Sequence, residues 1–198
     1  MKTHLLAFLT LLAALTTATA YAQGYQIGDQ VEDFSLLGTD DERHSLSADA
    51  GEKGAVVVFT CNHCPYSVAY EDRLVALSTA LDARGYALLA INPNDPEVKP
   101  ADDFAAMKAR AAEKGFNFPY LVDEGQRVYP TWGATRTPHF FVVDAENKVR
   151  YIGALDDNTD PSRVTTTYLT DALDALDRGA SPDPATTKAI GCSIKVKG

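Results

Sequence analysis

Residues 55–65 read AVVVFTCNHCP, and this stretch decides the fold. The run Ala55–Thr60 is apolar and rich in β-branched side chains, which predicts a buried central strand. Residues 62–84 then carry apolar side chains at helical spacing, and a glycine follows as a helix stop. Cys61 and Cys64 therefore lie where a buried strand gives way to a helix.

The remainder of the chain alternates predicted strands and helices. Strands are predicted at 86–91, 118–122, 140–143 and 148–152, and helices at 102–114, 124–131 and 161–178. Short strands and turns are predicted between residues 25 and 47. Because β and α segments alternate and the last two strands form a hairpin, we expect one α/β domain with a mixed central β-sheet and helices on both faces.

The composition and the N-terminus bound the cellular context. The chain has 198 residues and a net charge of −9, which argues against nucleic acid as a partner. Residues 1–22 read as a signal peptide, with an early lysine, a short apolar run and small-x-small motifs. We expect a domain at 23–180, a tail at 181–198 that packs on it, a periplasmic or secreted location, and no stable membrane insertion after cleavage.

The pair Cys61 and Cys64 is the strongest chemical signal in the sequence. Free amides at a helix start stabilise a thiolate. The i,i+3 spacing lets the two sulfur atoms meet, so that the first can attack and the second can resolve a mixed disulfide. Half of a zinc site and a purely structural disulfide are the alternatives, but there is no second CxxC, and a four-residue loop removes little unfolded-state entropy.

The sequence resembles the thioredoxin superfamily, in particular its exported redoxin branch of thiol-specific antioxidant proteins. The resemblance rests on the CNHCP motif, on Thr137-Pro138 before the strand HFFVVD, on Ile27–Leu46 and on the ending GCSIK at 191–195. It implies a thioredoxin fold in which Ile27–Leu46 is an N-terminal β-extension. It also implies a thiol–disulfide oxidoreductase with an antioxidant, peroxide-linked role.

The resemblance assigns roles to single residues. Cys61 is implied to be the attacking thiolate and Cys64 the resolving thiol, and Pro138 is implied to be a cis-proline that faces them. The backbone of Thr137 is implied to pair with an extended substrate strand. Arg136 lies near the position of an arginine that polarises peroxide and is expected to bind substrate. Protein disulfides or thiols and a redox partner protein are the expected partners, and no cofactor is expected.

The residues between the cysteines suggest the redox properties of the pair. His63 can carry a positive charge or donate a hydrogen bond, and either would stabilise a thiolate on Cys61. We therefore expect His63 to contribute to catalysis, the pKa of Cys61 to be lowered, and the pair to be more oxidising than thioredoxin.

Two features depart from better-known relatives. The peroxidatic pattern Pro-x-x-x-Thr/Ser-x-x-Cys is not matched at Cys61 or Cys64, which argues against direct peroxide reduction. The buried acid that thioredoxin carries before its CxxC has no counterpart in the strand here. Glu71 lies two helical turns after Cys64 and could supply that acid, although a solvated helix residue is the simpler interpretation.

A metal carrier is the alternative function. Cys61, Cys64 and His139 resemble the ligands of exported Sco-type copper proteins, and soft thiolates select copper(I). A packed or solvated histidine is the simpler interpretation of His139, and the principal interpretation includes no metal site.

The tail adds a third cysteine, Cys192. Ile194 and Val196 alternate with polar residues, which predicts a short β-like segment that folds back on the domain. Cys192 would then be a buried structural thiol or an auxiliary redox thiol.

Overall fold

Strand β3 (Gly54–Phe59) lies at the centre of the sheet and is buried along its whole length. The protein is described by a computed structural model over residues 24–197. β3 pairs antiparallel with β7 (His139–Asp144), which pairs antiparallel with β8 (Val149–Gly153). The predicted hairpin of the last two long strands is therefore confirmed.

A second group of strands completes the sheet on the other side of β3. Its members are β4 (Tyr86–Asn92), β5 (Tyr120–Val122), β1 (Ser35–Gly38) and β2 (Arg43–Ser45), in that order across the sheet. β4 and β5 run parallel, and the other pairs in this group run antiparallel. The amide of Thr60 donates to the carbonyl of Ile91 over 2.9 Å and joins the two groups.

Helices cover both faces of this mixed sheet. They are α1 (Leu46–Asp49), α2 (Pro65–Asp82), α3 (Phe104–Lys114), α4 (Val128–Trp132) and α5 (Tyr168–Asp177). Alternate side chains of β3 enter opposite cores: Val56 and Val58 pack with α2, α3 and α5, whereas Val57 and Phe59 pack with α1 and α4. The fold is the predicted thioredoxin fold, with β1 and β2 as its N-terminal β-extension.

The last predicted helix is shorter than expected. The sequence predicts a helix over 161–178, but Pro161–Arg163 forms a 3₁₀ turn and α5 begins at Tyr168. The carboxylate of Asp157 binds the amide of Thr165 over 2.9 Å and so competes with a helical hydrogen bond. β-branched threonines at 165–167 also lower the helix propensity of this segment.

The tail after α5 runs back along the domain. The amide of Ile152 in β8 donates to Ala185, and the amide of Thr187 donates back to Ile152, over 3.0 and 2.9 Å. Near its end the tail forms strand β9 (Cys192–Ser193). The sequence predicts the β-like segment around Ile194 and Val196, so the pairing begins two residues earlier than expected. The signal peptide predicted at 1–22 lies outside the described residues. Among residues 24–197, no helix has the length and apolar character that crossing a bilayer needs.

Candidate active site

Cys61 and Cys64 lie at the junction of β3 and α2, where the sequence places them. Cys64 is the N-cap residue of α2, and Pro65 is its first helical residue, a position where no amide hydrogen bond is lost. Both thiols are reduced, and 3% of Cys61 and 0% of Cys64 is exposed. The pair is therefore held inside the protein, with its first sulfur nearer to solvent.

Thr137 contacts both sulfur atoms of the pair. Its hydroxyl lies 3.2 Å from Cys61 Sγ, and its carbonyl accepts a hydrogen bond from Cys64 Sγ over 3.1 Å. The Thr137–Pro138 peptide bond is cis, which confirms that prediction. The residue before the proline is thus the one that bridges the two thiols.

A carboxylate from a distant segment binds the residues between the cysteines. Asp102 ends the 3₁₀ turn Pro100–Asp102, and its side chain is fully buried. One oxygen accepts the amides of Asn62 and His63 over 2.8 and 3.2 Å, and the other forms a short hydrogen bond with His63 Nδ1. That Nδ1 atom lies 3.6 Å from Cys61 Sγ. Asp102 therefore orients the imidazole beside the first cysteine.

Two asparagines after the core of β4 fix Asp102 in turn. Asn94 Nδ2 donates to the Asp102 carboxylate over 2.8 Å, and Asn92 Nδ2 donates to the Asp102 carbonyl over 3.3 Å. Asn94 Oδ1 accepts the amide of Lys195 over 2.7 Å. One side chain therefore connects the buried acid to the C-terminal tail.

The tail borders the site on its other side. Strand β9 pairs antiparallel with β6 (Arg136–Thr137), and Cys192 lies opposite Thr137. A Cβ atom on Gly191 would lie 2.1 Å from the Thr137 carbonyl oxygen, so only glycine permits this approach. Arg136 Nη1 donates to the Gly191 carbonyl over 2.9 Å and so holds the tail, while its role in binding substrate stays a prediction.

Comparison with known proteins identifies the family. A model described as the AhpC/TSA family matches residues 27–152, more than half of the chain. This chain belongs to the AhpC/TSA family.

The chain is also similar to two solved structures and to a curated protein. An uncharacterized conserved protein from Geobacillus kaustophilus is 36% identical with a TM-score of 0.81, and the match covers 87% of this chain and 93% of that one. A hypothetical protein from Sinorhizobium meliloti 1021 is 30% identical with a TM-score of 0.81, over 88% of this chain and 97% of that one. Thiol-disulfide oxidoreductase ResA from Bacillus thuringiensis (strain Al Hakam) is 24% identical over 127 residues, 63% of this chain and 67% of the relative.

In this AhpC/TSA family protein the two thiols titrate as one unit. A hydrogen bond from Cys61 lowers the pKa of Cys64 to about 4, against the effect of burial and with help from Cys192 and the Ser67 amide. The same hydrogen bond, burial and the charge of Asp102 raise the pKa of Cys61 well above its ordinary value. When the pair loses one proton, the two sulfur atoms therefore share the remaining proton and the negative charge.

The expected lowering of the Cys61 pKa is wrong. It assumed that helix amides and His63 act on the first cysteine. In the structure Cys61 does accept the amide of Cys64 at the helix start, but its hydrogen bond with the Cys64 thiol, its burial and the charge of Asp102 outweigh that amide.

Glu71 is neither the acid of the site nor a solvated residue. Its side chain is buried, and its two oxygens accept hydrogen bonds from Arg110 over 2.8 and 2.9 Å. The ion pair connects α2 to α3. The acid next to the thiols is Asp102.

One cluster of ligand atoms among the described residues could hold a metal ion. It consists of Cys61, His63 and Asp102, whose ligand atoms lie within 4.8 Å of one another. His139, the ligand expected for a copper carrier, is not a member. It is buried, burial lowers its pKa to about 4, and its Nδ1 accepts the amide of Thr135 over 3.4 Å.

Sequence reasoning missed Asp102 and Asn94. Asn94 carried a usable signal, because polar residues just after β4 lie beside the end of β3, where Cys61 begins. Asp102 carried none, because its position reads as the start of helix 102–114. Only the path of the preceding loop, which ends in a 3₁₀ turn, brings it to the cysteines.

Proposed function

We propose that this protein is a thiol–disulfide oxidoreductase in which Cys61 and Cys64 exchange electrons with the thiols or disulfides of protein substrates. The observation that carries the proposal is the contact of Thr137, the residue before a cis-proline, with both sulfur atoms of a CxxC pair at a strand–helix junction. The AhpC/TSA family assignment supports it.

The protonation of the pair suggests how the first step proceeds. The pair first loses one of its two protons to solvent, and Cys61 attacks a substrate disulfide as the thiolate while Cys64 keeps the remaining proton. A Cys61–substrate disulfide forms, and the other substrate sulfur leaves as a thiolate. Cys64 then loses that proton to solvent or to the leaving thiolate and attacks Cys61. The Cys61–Cys64 disulfide forms, and the second substrate thiolate leaves. The substrate gains two electrons, and the pair loses two.

A groove with apolar and polar walls beside the pair suits a protein substrate. A cavity of about 160 Å³ adjoins Pro138, and its walls combine Tyr66, Leu155 and Ile190 with polar side chains at 156–159. Tyr66 and Ile190 are 40% and 48% exposed. Exposed apolar side chains that border a reactive centre favour contact with an extended or partly unfolded chain over contact with a small hydrophilic molecule.

Reduction of insulin disulfides tests the proposal. We expect Cys61→Ser to abolish turnover, and Cys64→Ser to accumulate a mixed disulfide through Cys61, because the resolving thiol is absent. Asp72→Asn, at an exposed position of the same helix, is the control and should keep turnover within about twofold. Normal insulin reduction by Cys61→Ser would refute the assignment.

A peroxide-linked antioxidant role would use the same residues. Cys61 would attack one peroxide oxygen to give a sulfenic acid and release water or an alcohol. Cys64 would condense with the sulfenic acid and release water. Arg136 donates to the tail, so its support for this role is weak. Thiol-dependent consumption of hydrogen peroxide by wild type and Cys64→Ser would measure the role directly.

We also propose that the protein is exported, on the strength of the signal-peptide pattern at 1–22. Cell fractionation together with N-terminal sequencing of the mature chain tests this. An oxidising compartment would let the Cys61–Cys64 disulfide persist.

Carriage of copper(I) is the second candidate, favoured by the cluster of Cys61, His63 and Asp102. The Asp102 carboxylate already accepts hydrogen bonds at both oxygens, so an ion would have to displace some of them. Titration of the reduced protein with copper(I) against a competing chelator would distinguish the functions. Tight stoichiometric binding without disulfide turnover would favour the carrier.

A further inference from the structure

The edge of β6 is already occupied in this protein, and its own tail occupies it. Strand β9 pairs antiparallel with β6, with Cys192 opposite Thr137. An extended substrate in the thioredoxin fold is expected to pair in the same way with the residue before the cis-proline. The tail therefore lies along this edge as a substrate strand would.

Several contacts fix the tail in this register. Just before β9, Arg136 donates a hydrogen bond to the Gly191 carbonyl, and the absence of a side chain on Gly191 lets the tail approach Thr137 closely. After β9, the amide of Lys195 donates to Asn94 Oδ1 over 2.7 Å. The Lys195 carbonyl accepts two hydrogen bonds, one from the backbone amide of Asp95 and one from the side-chain Nε2 of Gln126, each over 2.9 Å. These contacts lie on both sides of the two-residue strand β9 and so fix its register. The register matters because a slip of one residue would turn the side chain of Cys192 to the other face.

The register of β9 brings Cys192 next to the buried member of the pair. Cys192 lies opposite Thr137, whose carbonyl accepts a hydrogen bond from Cys64 Sγ over 3.1 Å. The Cys192 thiol lies close enough to Cys64 to interact with it, and this interaction contributes to the low pKa of Cys64. Burial and the same contact raise the pKa of Cys192 to about 11. Cys192 itself is only half-buried, whereas Cys64 is fully buried.

We propose that Cys192 is a third exchange cysteine, which the tail presents to Cys64 as a built-in substrate strand. In the step, the Cys192 thiol loses its proton to solvent and attacks Cys64 in the Cys61–Cys64 disulfide. A Cys64–Cys192 disulfide forms, and Cys61 leaves as a thiolate that takes up a proton. No net oxidation occurs. The original disulfide joins two buried sulfur atoms, whereas the new one joins buried Cys64 to Cys192, which solvent reaches. The step rests on the proposed function of the Cys61–Cys64 pair.

The Cys61→Ser variant isolates the proposed disulfide. The purified, reduced variant is treated with glutathione disulfide, quenched in acid, alkylated and mapped by mass spectrometry. Attack of the half-exposed Cys192 on glutathione disulfide gives a mixed disulfide and glutathione, and Cys64 then displaces the second glutathione. Because the tail holds the two thiols together, we expect the Cys64–Cys192 disulfide to exceed the glutathione adducts by about tenfold.

A shift of the thiol by one residue provides the matched control. In Cys61→Ser/Cys192→Ser/Ser193→Cys the tail has the same number of thiols, but the thiol lies opposite Arg136 on the other face of β9. The intramolecular disulfide should fall at least about tenfold relative to the adducts. Equal yields in both variants, or adducts alone in Cys61→Ser, would overturn the proposal.

Stepwise oxidation of the wild type tests the same proposal without a variant, and so remains informative if the Cys61→Ser variant does not fold. We expect a Cys61–Cys64 disulfide first, and then a population with a Cys64–Cys192 disulfide in which Cys61 is alkylated. Appearance of the first disulfide with Cys192 always alkylated would refute the third cysteine and leave the proposed function intact. Absence of the first disulfide would refute the proposed function itself.

Discussion

Two buried carboxylates, Glu71 in α2 and Asp102 beside Cys61, are stabilised in opposite ways. Glu71 forms a bidentate ion pair with Arg110, and Lys114 lies 3.6 Å away. Asp102 accepts its hydrogen bonds from backbone and asparagine amides and from the imidazole of His63. One charge is neutralised by arginine, and the other is held chiefly by neutral donors.

Because of this difference, one carboxylate acts on the stability of the fold and the other acts on the pKa of Cys61. A carboxylate paired with a guanidinium presents little net charge to its neighbours, whereas one held by amide dipoles keeps its charge. Accordingly Asp102, and not Glu71, contributes to the raised pKa of Cys61. Proximity in sequence favoured Glu71, but the donors around each acid determine what it does.

The largest expected effect is the dependence of stability on pH in the reduced protein. The folded pKa of Cys64, about 4, lies below the unfolded value, so its stabilising contribution is lost as pH falls from about 8.5 toward 4. The raised pKa of Cys61 acts oppositely, and its contribution is lost as pH rises above about 8.5.

Urea denaturation of reduced wild type and of Cys61→Ser/Cys64→Ser measures this effect. The difference in free energy of unfolding should increase from pH 5 to pH 8, by at most about 1.4 kcal/mol per pH unit. The Glu71–Arg110 pair is common to both proteins and cancels. A constant difference would show that the thiols do not share a proton as described.

Glu71→Gln should mainly lower stability. It leaves Arg110 without its buried partner, and we expect the free energy of unfolding to fall by about 3 kcal/mol. The redox potential of the Cys61–Cys64 pair should not change. Glu113→Gln removes the exposed partner of the same arginine and should cost less than about 1 kcal/mol. A shifted potential in Glu71→Gln would break the distinction between the two acids.

Asp102→Asn should change the redox potential of the Cys61–Cys64 pair and should lower stability less than Glu71→Gln does. The NH₂ group of asparagine cannot accept from His63 or Asn94, so two hydrogen bonds are lost and the free energy of unfolding should fall by about 2 kcal/mol. Loss of the negative charge lowers the pKa of Cys61 and stabilises the reduced pair. The potential, measured by glutathione equilibration, should rise by more than about 30 mV, a tenfold change in the equilibrium constant. A more negative potential would contradict this role for Asp102.

His63→Ala should have the smallest effect, with the opposite sign. Without the imidazole, the carboxylate of Asp102 acts on Cys61 with less compensation, which raises the pKa of that thiol further. The potential should fall by less than about 30 mV in the same glutathione assay. If Asp102→Asn and His63→Ala shift the potential in the same direction, the two side chains do not compensate each other.

The sequence predicted what depends on short-range patterns. The β-branched run before Cys61 predicts β3, because a buried strand needs apolar side chains on both faces. The CxxC spacing predicts the thiols at the start of α2, and Thr137-Pro138 predicts the cis bond through its resemblance to a known family. The order of these elements predicts a mixed α/β sheet, and the resemblance to the family adds the thioredoxin fold.

The electrostatics of the site could not be predicted in this way. Asp102 and Asn94 reach Cys61 through the path of a proline-rich loop, and no periodicity reports that path. The register of the tail is set by Gly191 and Lys195, which contact residues far away in sequence. A sequence pattern shows that a strand is present more readily than it shows which edge the strand pairs with.

The side chain of Asn94 makes the two sides of the site depend on each other. An amide has a single oxygen, and here that oxygen accepts from Lys195, so its NH₂ group must face Asp102. If the tail leaves β6 to admit a substrate, the amide is free to rotate and to withdraw its hydrogen bond from the carboxylate. Asp102 and His63 are then less firmly held when a substrate strand is bound than when the tail is bound. Under the proposed function, opening this edge would therefore also relax the polar layer beside Cys61, so that the arrival of a substrate and the adjustment of the thiols would be one event.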